Sequence, residues 1–235
     1  MEMNTAILVG NTNTKIAHVN ERSIIRVFNI RTQDIPRTIR KHFSNYNDRI
    51  YLASVVPEAT EVIKRKLNNI EEITSKKFPF RIKVKQPDKV GIDRLLNALG
   101  AWQLYRRGCV IIDAGSAITI DLMNDSGDFE GGVIFPGETL IINSLRTLAL
   151  LKNVKMSTPV SLVGKNTSEA IGSGIVYGLS FLVSGYIRAF KEKNPVLHVV
   201  FTGGSGRSLC RRVKEGCYVE HLGIIGMRCV IYENV

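Results

Sequence analysis

The sequence has no uninterrupted apolar run that approaches the roughly 18–20 residues needed for a membrane-spanning helix. The first ten residues, MEMNTAILVG, carry no basic segment ahead of their short apolar run, so they do not match a secretory signal. These two absences predict a protein without a membrane partner and with a cytoplasmic location.

Cysteine and histidine are scarce, with four of each among 235 residues. The cysteines form no CxxC pair, and none has the spacing to a histidine that is typical of metal sites. Cys109 and Cys229 lie in apolar runs and are expected to be buried thiols. His198 lies in the apolar run VLHVVF, where a core histidine is expected. The pattern disfavours both a zinc enzyme and a Cys–His nucleophile.

Two common nucleotide-binding motifs are missing, since the chain contains neither GxxxxGK[ST] nor GxGxxG. Three other glycine turns each follow a predicted strand: VGNTNT at 9–14, AGSAIT at 114–119 and TGGSG at 202–206. Backbone N–H groups in such turns can surround phosphate oxygens, and Ser, Thr and Asn side chains add donors. Three of them at strand ends, with carboxylates alongside, predict a cleft between two domains that holds a nucleotide.

The composition is that of an ordinary globular protein, with 44% apolar and 23% charged residues. A net charge of +11 permits an anionic partner such as nucleic acid or a phosphate compound. The basic residues, however, alternate with acidic ones in helical segments such as Glu61–Lys66 and Glu71–Lys77. This mixing favours a solvated surface over a nucleic-acid interface, and nucleic acid is not expected as a partner.

The order of predicted elements repeats once. Cys109–Phe135 reads as strand, glycine turn, strand, turn, strand, and Thr5–Asn29 has the same order. The repeat predicts an α/β protein of two halves with related folds, one over residues 1–108 and the other over residues 109–235.

The predicted elements beyond this repeat alternate between strands and helices. A basic strand is predicted over Phe80–Lys85, and helices are predicted from Asp93 onward, over Glu138–Leu150 and over Thr167–Lys191. A strand over Val196–Thr202 leads into the third glycine turn.

The stretch Cys109–Gly115, CVIIDAG, is a short apolar run that ends in an acid and a glycine. Such a strand can deliver the carboxylate of Asp113 to a cleft, while Gly115 allows close approach of the backbone to a ligand. Asp and Gly are also favoured in any turn, so a purely structural strand end is the alternative.

Seven motifs occur in order along nearly the whole chain: GNTNT (10–14), SVVP (54–57), GIDRLLNALGA (91–101), IIDAGSAITID (111–121), GDFEGGVIFPG (127–137), GKNTSEAIGSGIVYG (164–178) and TGG (202–204). This ordered set resembles the type III pantothenate kinases, which belong to the acetate and sugar kinase/heat-shock cognate/actin superfamily. The resemblance implies two ribonuclease H-like (actin-like ATPase) domains with a nucleotide cleft between them. It also implies a homodimer that transfers the γ-phosphate of ATP to pantothenate, the first step of coenzyme A biosynthesis.

The resemblance assigns substrate roles to residues at matching positions. Asp93 is the implied general base that accepts the proton of the substrate hydroxyl. Gly91, Ile92 and Arg94 are implied to hold pantothenate, with Arg94 suited to its carboxylate. Thr167 matches a threonine that reaches the substrate. Asp93 and Thr167 could instead simply cap the helices that they begin.

The same resemblance assigns nucleotide and metal contacts. Asp113 matches a ligand of a monovalent cation, potassium or ammonium, and Mg²⁺ is expected to accompany the nucleotide. ATP contacts are expected from the two glycine turns, through Gly10, Asn11, Thr12, Asn13, Thr14, Lys15 and Ser116.

The chain departs from the family pattern at four positions. The first phosphate motif of the family reads Asp-x-Gly-Asn-Thr, and here Leu8 occupies the position of the acid. Leucine offers no oxygen to a divalent cation, so impaired phosphoryl transfer is expected. Val84, Gln86 and Ile118 replace a tyrosine, an asparagine and a threonine of the family. Two hypotheses follow: an impaired pantothenate kinase, or a catalytically inactive kinase-fold protein that binds a ligand or a regulatory partner.

Overall fold

The computed structural model describes residues 3–42, 49–154 and 161–232. The chain divides into two compact units. The first comprises Met1–Arg107, Leu122–Gly131 and His221–Val235, and the second comprises Gly108–Asp121 and Gly132–Glu220. The predicted boundary between residues 108 and 109 remains a prediction. The C-terminal segment from residue 221, which lies beyond that boundary in sequence, belongs to the first unit.

The described residues form strands and helices that alternate along the chain. The strands are β1 (Asn4–Val9), β2 (Asn13–Val19), β3 (Ile24–Arg31), β4 (Ile50–Ser54), β5 (Ile70–Glu72), β6 (Cys109–Ala114), β7 (Ala117–Met123), β8 (Phe129–Pro136), β9 (His198–Thr202) and β10 (Cys217–Tyr218). The α-helices are α1 (Ile35–Thr38), α2 (Pro57–Lys66), α3 (Ile92–Tyr105), α4 (Glu138–Leu145), α5 (Thr167–Lys193), α6 (Gly206–Val213) and α7 (Leu222–Tyr232).

The strand predicted over Phe80–Lys85 is wrong. In its place the chain makes one isolated parallel bridge, between Ile82 and Phe129. Two backbone bonds support the bridge, from Lys83 N to Phe129 O and from Phe129 N to Arg81 O. This contact is too short to form a ladder, so alternating hydrophobicity alone did not produce a strand. The helix predicted over Glu138–Leu150 likewise ends early, at Leu145.

The sheet of the first unit has the order β3-β2-β1-β4-β5. β1 pairs antiparallel with β2 and parallel with β4, and all six of its residues are buried. Because side chains alternate between the two faces of a strand, Ile7 and Val9 pack into a cluster with Ile35 of α1 and Ile63 of α2. Leu8 therefore points to the opposite face.

Helices α3 and α7 of the first unit approach each other closely at two glycines. A Cβ added to Gly226 would lie 2.0 Å from the carbonyl oxygen of Leu96, and one added to Gly100 would lie 2.4 Å from that of Leu222. Backbone atoms cannot move aside as flexible side chains can, so both positions require glycine.

Gly226→Ala is expected to lower the free energy of unfolding by about 1–3 kcal/mol, because the added methyl group forces the two helices apart. Gly204→Ala, in the turn after β9, is the control, since an added Cβ there meets no heavy atom of the described residues within 4 Å. We expect the control to raise stability by roughly 0.4–1 kcal/mol, because alanine restricts the unfolded chain more than glycine does. Urea unfolding at one protein concentration measures both, and equal effects would contradict the close packing.

The second sheet has the order β10-β9-β6-β7-β8. β6 pairs parallel with β9, in a register that places Asp113 opposite Thr202, the last residue of β9. Five of the six residues of β6 are buried, and Asp113 is the partly exposed one. β10, which was not predicted, is a two-residue edge strand parallel to β9.

Helix α5 of the second unit is 27 residues long, and an 18-residue window of it has a mean hydropathy of 1.5. By length and composition alone this helix could cross a membrane, although serines interrupt its apolar residues. One such helix is weak evidence for a membrane span, because core helices of water-soluble proteins meet the same criterion. In this structure 39% of the window is buried.

Candidate functional site

In the second unit, Asp113 lies at the carboxyl end of β6, against the glycine turn that follows β9. A Cβ added to Gly203 would lie 2.3 Å from Asp113 Oδ1 and 2.6 Å from the carbonyl oxygen of Ala114. Gly203 also has a φ of +86°, a backbone conformation that other residues rarely adopt. Glycine at position 203 thus leaves the space that the Asp113 carboxylate occupies.

Backbone hydrogen bonds hold three turns together around Asp113. Within the β6–β7 turn, Gly115 N donates to Ala117 O at 2.9 Å. From the turn after β9, Ser205 N donates to Ala114 O, and from the start of α4, Gly137 N donates to Ser116 O, both at 2.9 Å. The carboxylate is therefore surrounded by ordered backbone, and half-buried Ser116 lies on the same turn.

This arrangement fits a monovalent cation better than a divalent one. Its oxygen donors are a single carboxylate and nearby backbone carbonyls. Among the described residues, no cluster of three His, Cys, Asp or Glu side chains could hold a metal ion. A divalent cation favours more anionic oxygen ligands than one carboxylate supplies.

In the first unit, the turn between β1 and β2 presents an exposed surface at Asn11, Thr12 and Asn13. Gly10 N donates to Asn13 O at 3.0 Å and closes the turn. Thr14, predicted to contact ATP, is fully buried, with its hydroxyl 3.0 Å from that of Thr32. Thr32 in turn donates to Gly10 O at 2.6 Å. Lys15, next on β2, is partly exposed.

Leu8 lies on the face of β1 that is turned toward helix α7. It is only 9% exposed, and a Cβ added to Gly223 would lie 2.9 Å from Leu8 Cδ2 and 3.1 Å from Asn97 Oδ1. The position at which the family has an acid is thus filled by a packed apolar side chain beside the first turn of α7.

Asp93 is the second residue of helix α3, and Gly91 is the N-cap. The interpretation of Asp93 as the N-cap is therefore wrong, although its place in the first turn still suits the helix dipole. Asp93 Oδ1 accepts a hydrogen bond from Arg94 N at 2.9 Å. Burial raises the pKa of Asp93 above its ordinary value of 3.8, against the lowering effects of the Arg94 N–H and charge. A raised pKa in a partly buried carboxyl is typical of a general base.

The first unit contains a cavity of about 820 Å³. Gly91 and Ile92, the two residues that precede Asp93 in the sequence, line this cavity. Its wall also includes Ser54 and Val55 at the carboxyl end of β4. The guanidinium of Arg94 lies 5.6 Å from the centre of the Phe129 ring, which supports its position. The GxDR segment therefore supplies a carboxylate, from Asp93, and a positioned guanidinium, from Arg94, directly after two residues that line a cavity of the same unit.

Thr167 is the first residue of α5 and is exposed. The helix is capped by Asn166, whose Oδ1 accepts a hydrogen bond from Glu169 N at 3.0 Å. The Glu169 carboxylate in turn accepts hydrogen bonds from Lys165 N and from Asn166 Nδ2, both at 2.8 Å. The interpretation of Thr167 as the cap is therefore wrong.

The structure adds residues that the sequence-based site did not include. Thr202, Gly203 and Gly137 all contribute to the surroundings of Asp113. The motifs TGG and FPG contain them, so a signal was present in the sequence, but nothing in a linear pattern says which carboxylate a turn will contact. Asp93 and Asp113 belong to different units.

Two comparisons of the sequence with known proteins indicate the same family. A family model described as type III pantothenate kinase matches residues 5–189. The chain is 31% identical to a type III pantothenate kinase of Sulfurihydrogenibium sp. (strain YO3AOP1), over 94% of this chain and 96% of that protein.

Among solved structures, the chain resembles a conserved putative Baf family transcriptional activator from Campylobacter jejuni, with a TM-score of 0.70, 24% identity and 98% coverage of both chains. It also resembles the activator of the 2-hydroxyisocaproyl-CoA dehydratase from Clostridium difficile with bound ADPNP, with a TM-score of 0.55 and 11% identity, over 98% and 94% of the two chains. Likeness at these identities shows the fold alone. It confirms the predicted α/β class and the actin-like ATPase fold.

Proposed function

Because this chain belongs to the type III pantothenate kinase family, we propose that it phosphorylates pantothenate to 4′-phosphopantothenate with ATP, as the first step of coenzyme A biosynthesis in the cytoplasm. The members of this family are phosphotransferases, and use of ATP goes with the kinase fold. The observation that carries the proposal for this chain is Asp93. Its carboxyl has a raised pKa, lies in the first turn of α3 and is followed by the fixed cation of Arg94.

The roles of the substrate residues follow from their chemistry. Phosphoryl transfer depends mainly on positioning and on neutralising the charge of the phosphates. Asp93 accepts the proton of the attacking pantothenate hydroxyl, and Arg94 pairs with the pantothenate carboxylate. Gly91 and Ile92 place the substrate at the wall of the cavity. Thr167, which is exposed and does not cap α5, is assigned a substrate contact on the family resemblance.

The two glycine turns are assigned to ATP. Asn11, Thr12 and Asn13 offer exposed donors on the first turn, and Lys15 offers a partly exposed one. Gly10 closes the turn through its own N–H, and buried Thr14 holds the turn in shape through Thr32. Ser116 offers a hydroxyl on the second turn.

Asp113, with the neighbouring backbone carbonyls, would hold a potassium or ammonium ion, which supplies positive charge near the phosphates. Mg²⁺ would arrive with the nucleotide, held chiefly by phosphate oxygens and water.

The direct experiment mixes the purified chain with pantothenate, MgATP and potassium or ammonium, and follows ADP release together with the mass of the product. We expect phosphopantothenate to form, with a lower rate when sodium replaces potassium. Reactions without pantothenate give the background of ATP hydrolysis. ADP release that does not depend on pantothenate, with no phosphorylated product, would contradict the proposed substrate.

A second candidate function is that of a catalytically inactive kinase-fold protein that binds a ligand or a partner. One observation favours it. The position of the family's acid is occupied by Leu8, an apolar side chain that is only 9% exposed. The two candidate functions differ in whether the native chain catalyses the phosphorylation of pantothenate. The activity of a Leu8 variant distinguishes them further.

We also propose that the chain forms a homodimer through helix α5. Gly174, Gly178, Phe181 and Gly185 are spaced by four, three and four residues and lie on one face. Phe181 is 61% exposed, and Cβ atoms added to the three glycines would meet no described heavy atom within 4 Å outside their own helix backbone. Small residues beside an exposed aromatic ring allow a second helix to approach closely, and a second copy of this chain is the proposed occupant.

Phe181→Asp is expected to convert the dimer to a monomer, because a carboxylate in an apolar helix contact loses its hydration without a partner. Sedimentation velocity across a range of protein concentrations measures the change. Val196→Asp is the control, since Val196 is similarly exposed, at 59%, but lies outside α5. A native chain that is already monomeric, or a Phe181 variant that stays dimeric, would contradict this interface.

A further inference from the structure

Three side chains that the proposed function leaves unused lie together at the edge strand β10 of the second unit. Cys217 Sγ is 3.5 Å from His198 Nε2. The pairing of β10 with β9 explains this contact. Cys217 lies opposite Val200, and His198 is two residues before Val200, so its side chain is on the same face of the sheet. The sequence favoured a core histidine at this position, but His198 is partly exposed.

The pair has the chemistry of an activated thiol. A neutral imidazole nitrogen within hydrogen-bond reach can accept the proton of a thiol, and the thiolate is the nucleophilic form of cysteine. A further neighbour of the Cys217 sulfur is the carbonyl oxygen of Val199 at 3.9 Å, which can accept a hydrogen bond from the thiol but cannot take its proton. Both Cys217 and His198 are partly exposed, so a small solute can reach the sulfur.

A second thiol lies close by. Cys210, in the last turn of α6, has its sulfur 3.9 Å from the carbonyl oxygen of Gly216, the residue bonded to Cys217. Burial raises the pKa of the Cys210 thiol, and the proximity of Cys217 raises it further. Cys210 therefore keeps its proton more firmly than an ordinary cysteine, and its thiol is a slow nucleophile.

We propose that Cys217, with His198 as its base, is a peroxide-reactive thiol, and that Cys210 is the thiol that resolves it into a disulfide. The observations are the contact of Cys217 with an imidazole nitrogen, the partial exposure of both side chains and a second thiol beside the same strand. The proposal is independent of the kinase activity.

The chemistry balances with hydrogen peroxide as the oxidant. His198 takes the proton of the Cys217 thiol, and the thiolate attacks one oxygen of the peroxide. The O–O bond breaks, the leaving hydroxide takes the proton from His198 and departs as water, and Cys217 becomes a sulfenic acid. The Cys210 sulfur then attacks the Cys217 sulfur, the S–OH bond breaks, and the Cys210 proton leaves with the hydroxide as a second water. The two thiols together lose two electrons and two protons.

The chain carries its own internal controls. Cys109 and Cys229 are fully buried, and peroxide is expected to reach them slowly. The oxidation rates of Cys210 and Cys217 can therefore be compared with those of Cys109 and Cys229 within the same molecule.

The experiment treats the reduced full-length chain with dilute hydrogen peroxide and maps its peptides by mass spectrometry. We expect a loss of two hydrogens and a cross-linked peptide that joins Cys210 to Cys217. In Cys210→Ser, dimedone should instead label Cys217 as the sulfenic acid. His198→Gln should slow the oxidation of Cys217 by about tenfold or more, whereas the control His18→Gln should not.

Circular dichroism confirms that each variant is folded before its rate is compared. Labelling of Cys109 or Cys229 as fast as Cys217 would overturn the proposal, and so would an unchanged oxidation rate in folded His198→Gln. A native chain that accumulates dimedone-reactive Cys217 without forming the cross-link would overturn the role of Cys210.

Discussion

Replacing Asp93 with asparagine is expected to lower kcat for pantothenate phosphorylation by about 10²–10⁴-fold, the usual contribution of a general base. Asparagine keeps the size of the side chain and can still accept the hydrogen bond from Arg94 N, but it cannot take the proton of the substrate hydroxyl. Steady-state kinetics with saturating ATP measure the loss. Asp125→Asn, an exposed acid in the turn between β7 and β8, is the matched control and should leave kcat unchanged.

The same residue predicts the acid limb of the pH profile. Asp93 must be ionised to act as a base, so kcat/KM should fall as pH drops through its folded-state pKa. Because burial raises that pKa, the fall should occur at a pH above 3.8, the ordinary value. A kcat that survives in Asp93→Asn would show that another group accepts the proton.

The Asp93→Asn substitution should lower activity without lowering stability at neutral pH. A raised pKa in the folded state means that Asp93 contributes most to stability below its unfolded pKa, and that this contribution is lost as pH rises through the folded pKa. At neutral pH the buried carboxylate therefore opposes folding, and Asp93→Asn should be at least as stable as the native chain. Thermal unfolding at neutral and acidic pH should show this advantage shrinking as the acid is protonated. A purely structural Asp93 would give a less stable variant instead.

Replacing Leu8 with aspartate is expected to raise kcat/KM for ATP-dependent phosphorylation by about 10–100-fold, the range typical of groups that support a metal site. The change restores a hard oxygen ligand at the position where the family has one. Leu8→Asn, which has nearly the same shape without the charge, should give no comparable gain. Both variants are measured with MgATP, pantothenate and potassium.

The Leu8→Asp variant should also be less stable without nucleotide. Leu8 is 9% exposed and packs beside Gly223, so a carboxylate there is buried where leucine had apolar contacts, at a cost of about 1–3 kcal/mol or more. MgATP should restore part of the loss, because a ligand that binds the folded state stabilises it. No turnover in the native chain together with turnover in Leu8→Asp would contradict the proposed activity and favour the binding protein. Equal turnover in both would show that Leu8 does not limit the reaction.

The fold was predictable where one pattern dominated a segment. The helix predicted over Thr167–Lys191 spans Thr167–Lys193, and the strand predicted from Thr5 begins at Asn4, because long periodic segments and apolar runs bounded by turns specify such elements. The short edge strands β5 and β10 were missed, since two or three residues are too few for a periodicity. The strand predicted over Phe80–Lys85 failed because no neighbouring strand offers it a ladder, and pairing is a property of the sheet.

The candidate site, like the fold, could be predicted only in part. The sequence by itself determined the family, the positions of the two glycine turns and the departure at Leu8, because residue identity at ordered motifs is a linear property. Only the tertiary structure decided that Gly91 caps α3 and Asn166 caps α5, that the hydroxyl of Thr14 is turned inward to Thr32, and that Gly203 makes room for Asp113. The contact of Cys217 with His198, 19 residues apart, depends on the register of two strands. Burial, register and close approach arise from segments distant in sequence, and these set the chemistry of each side chain.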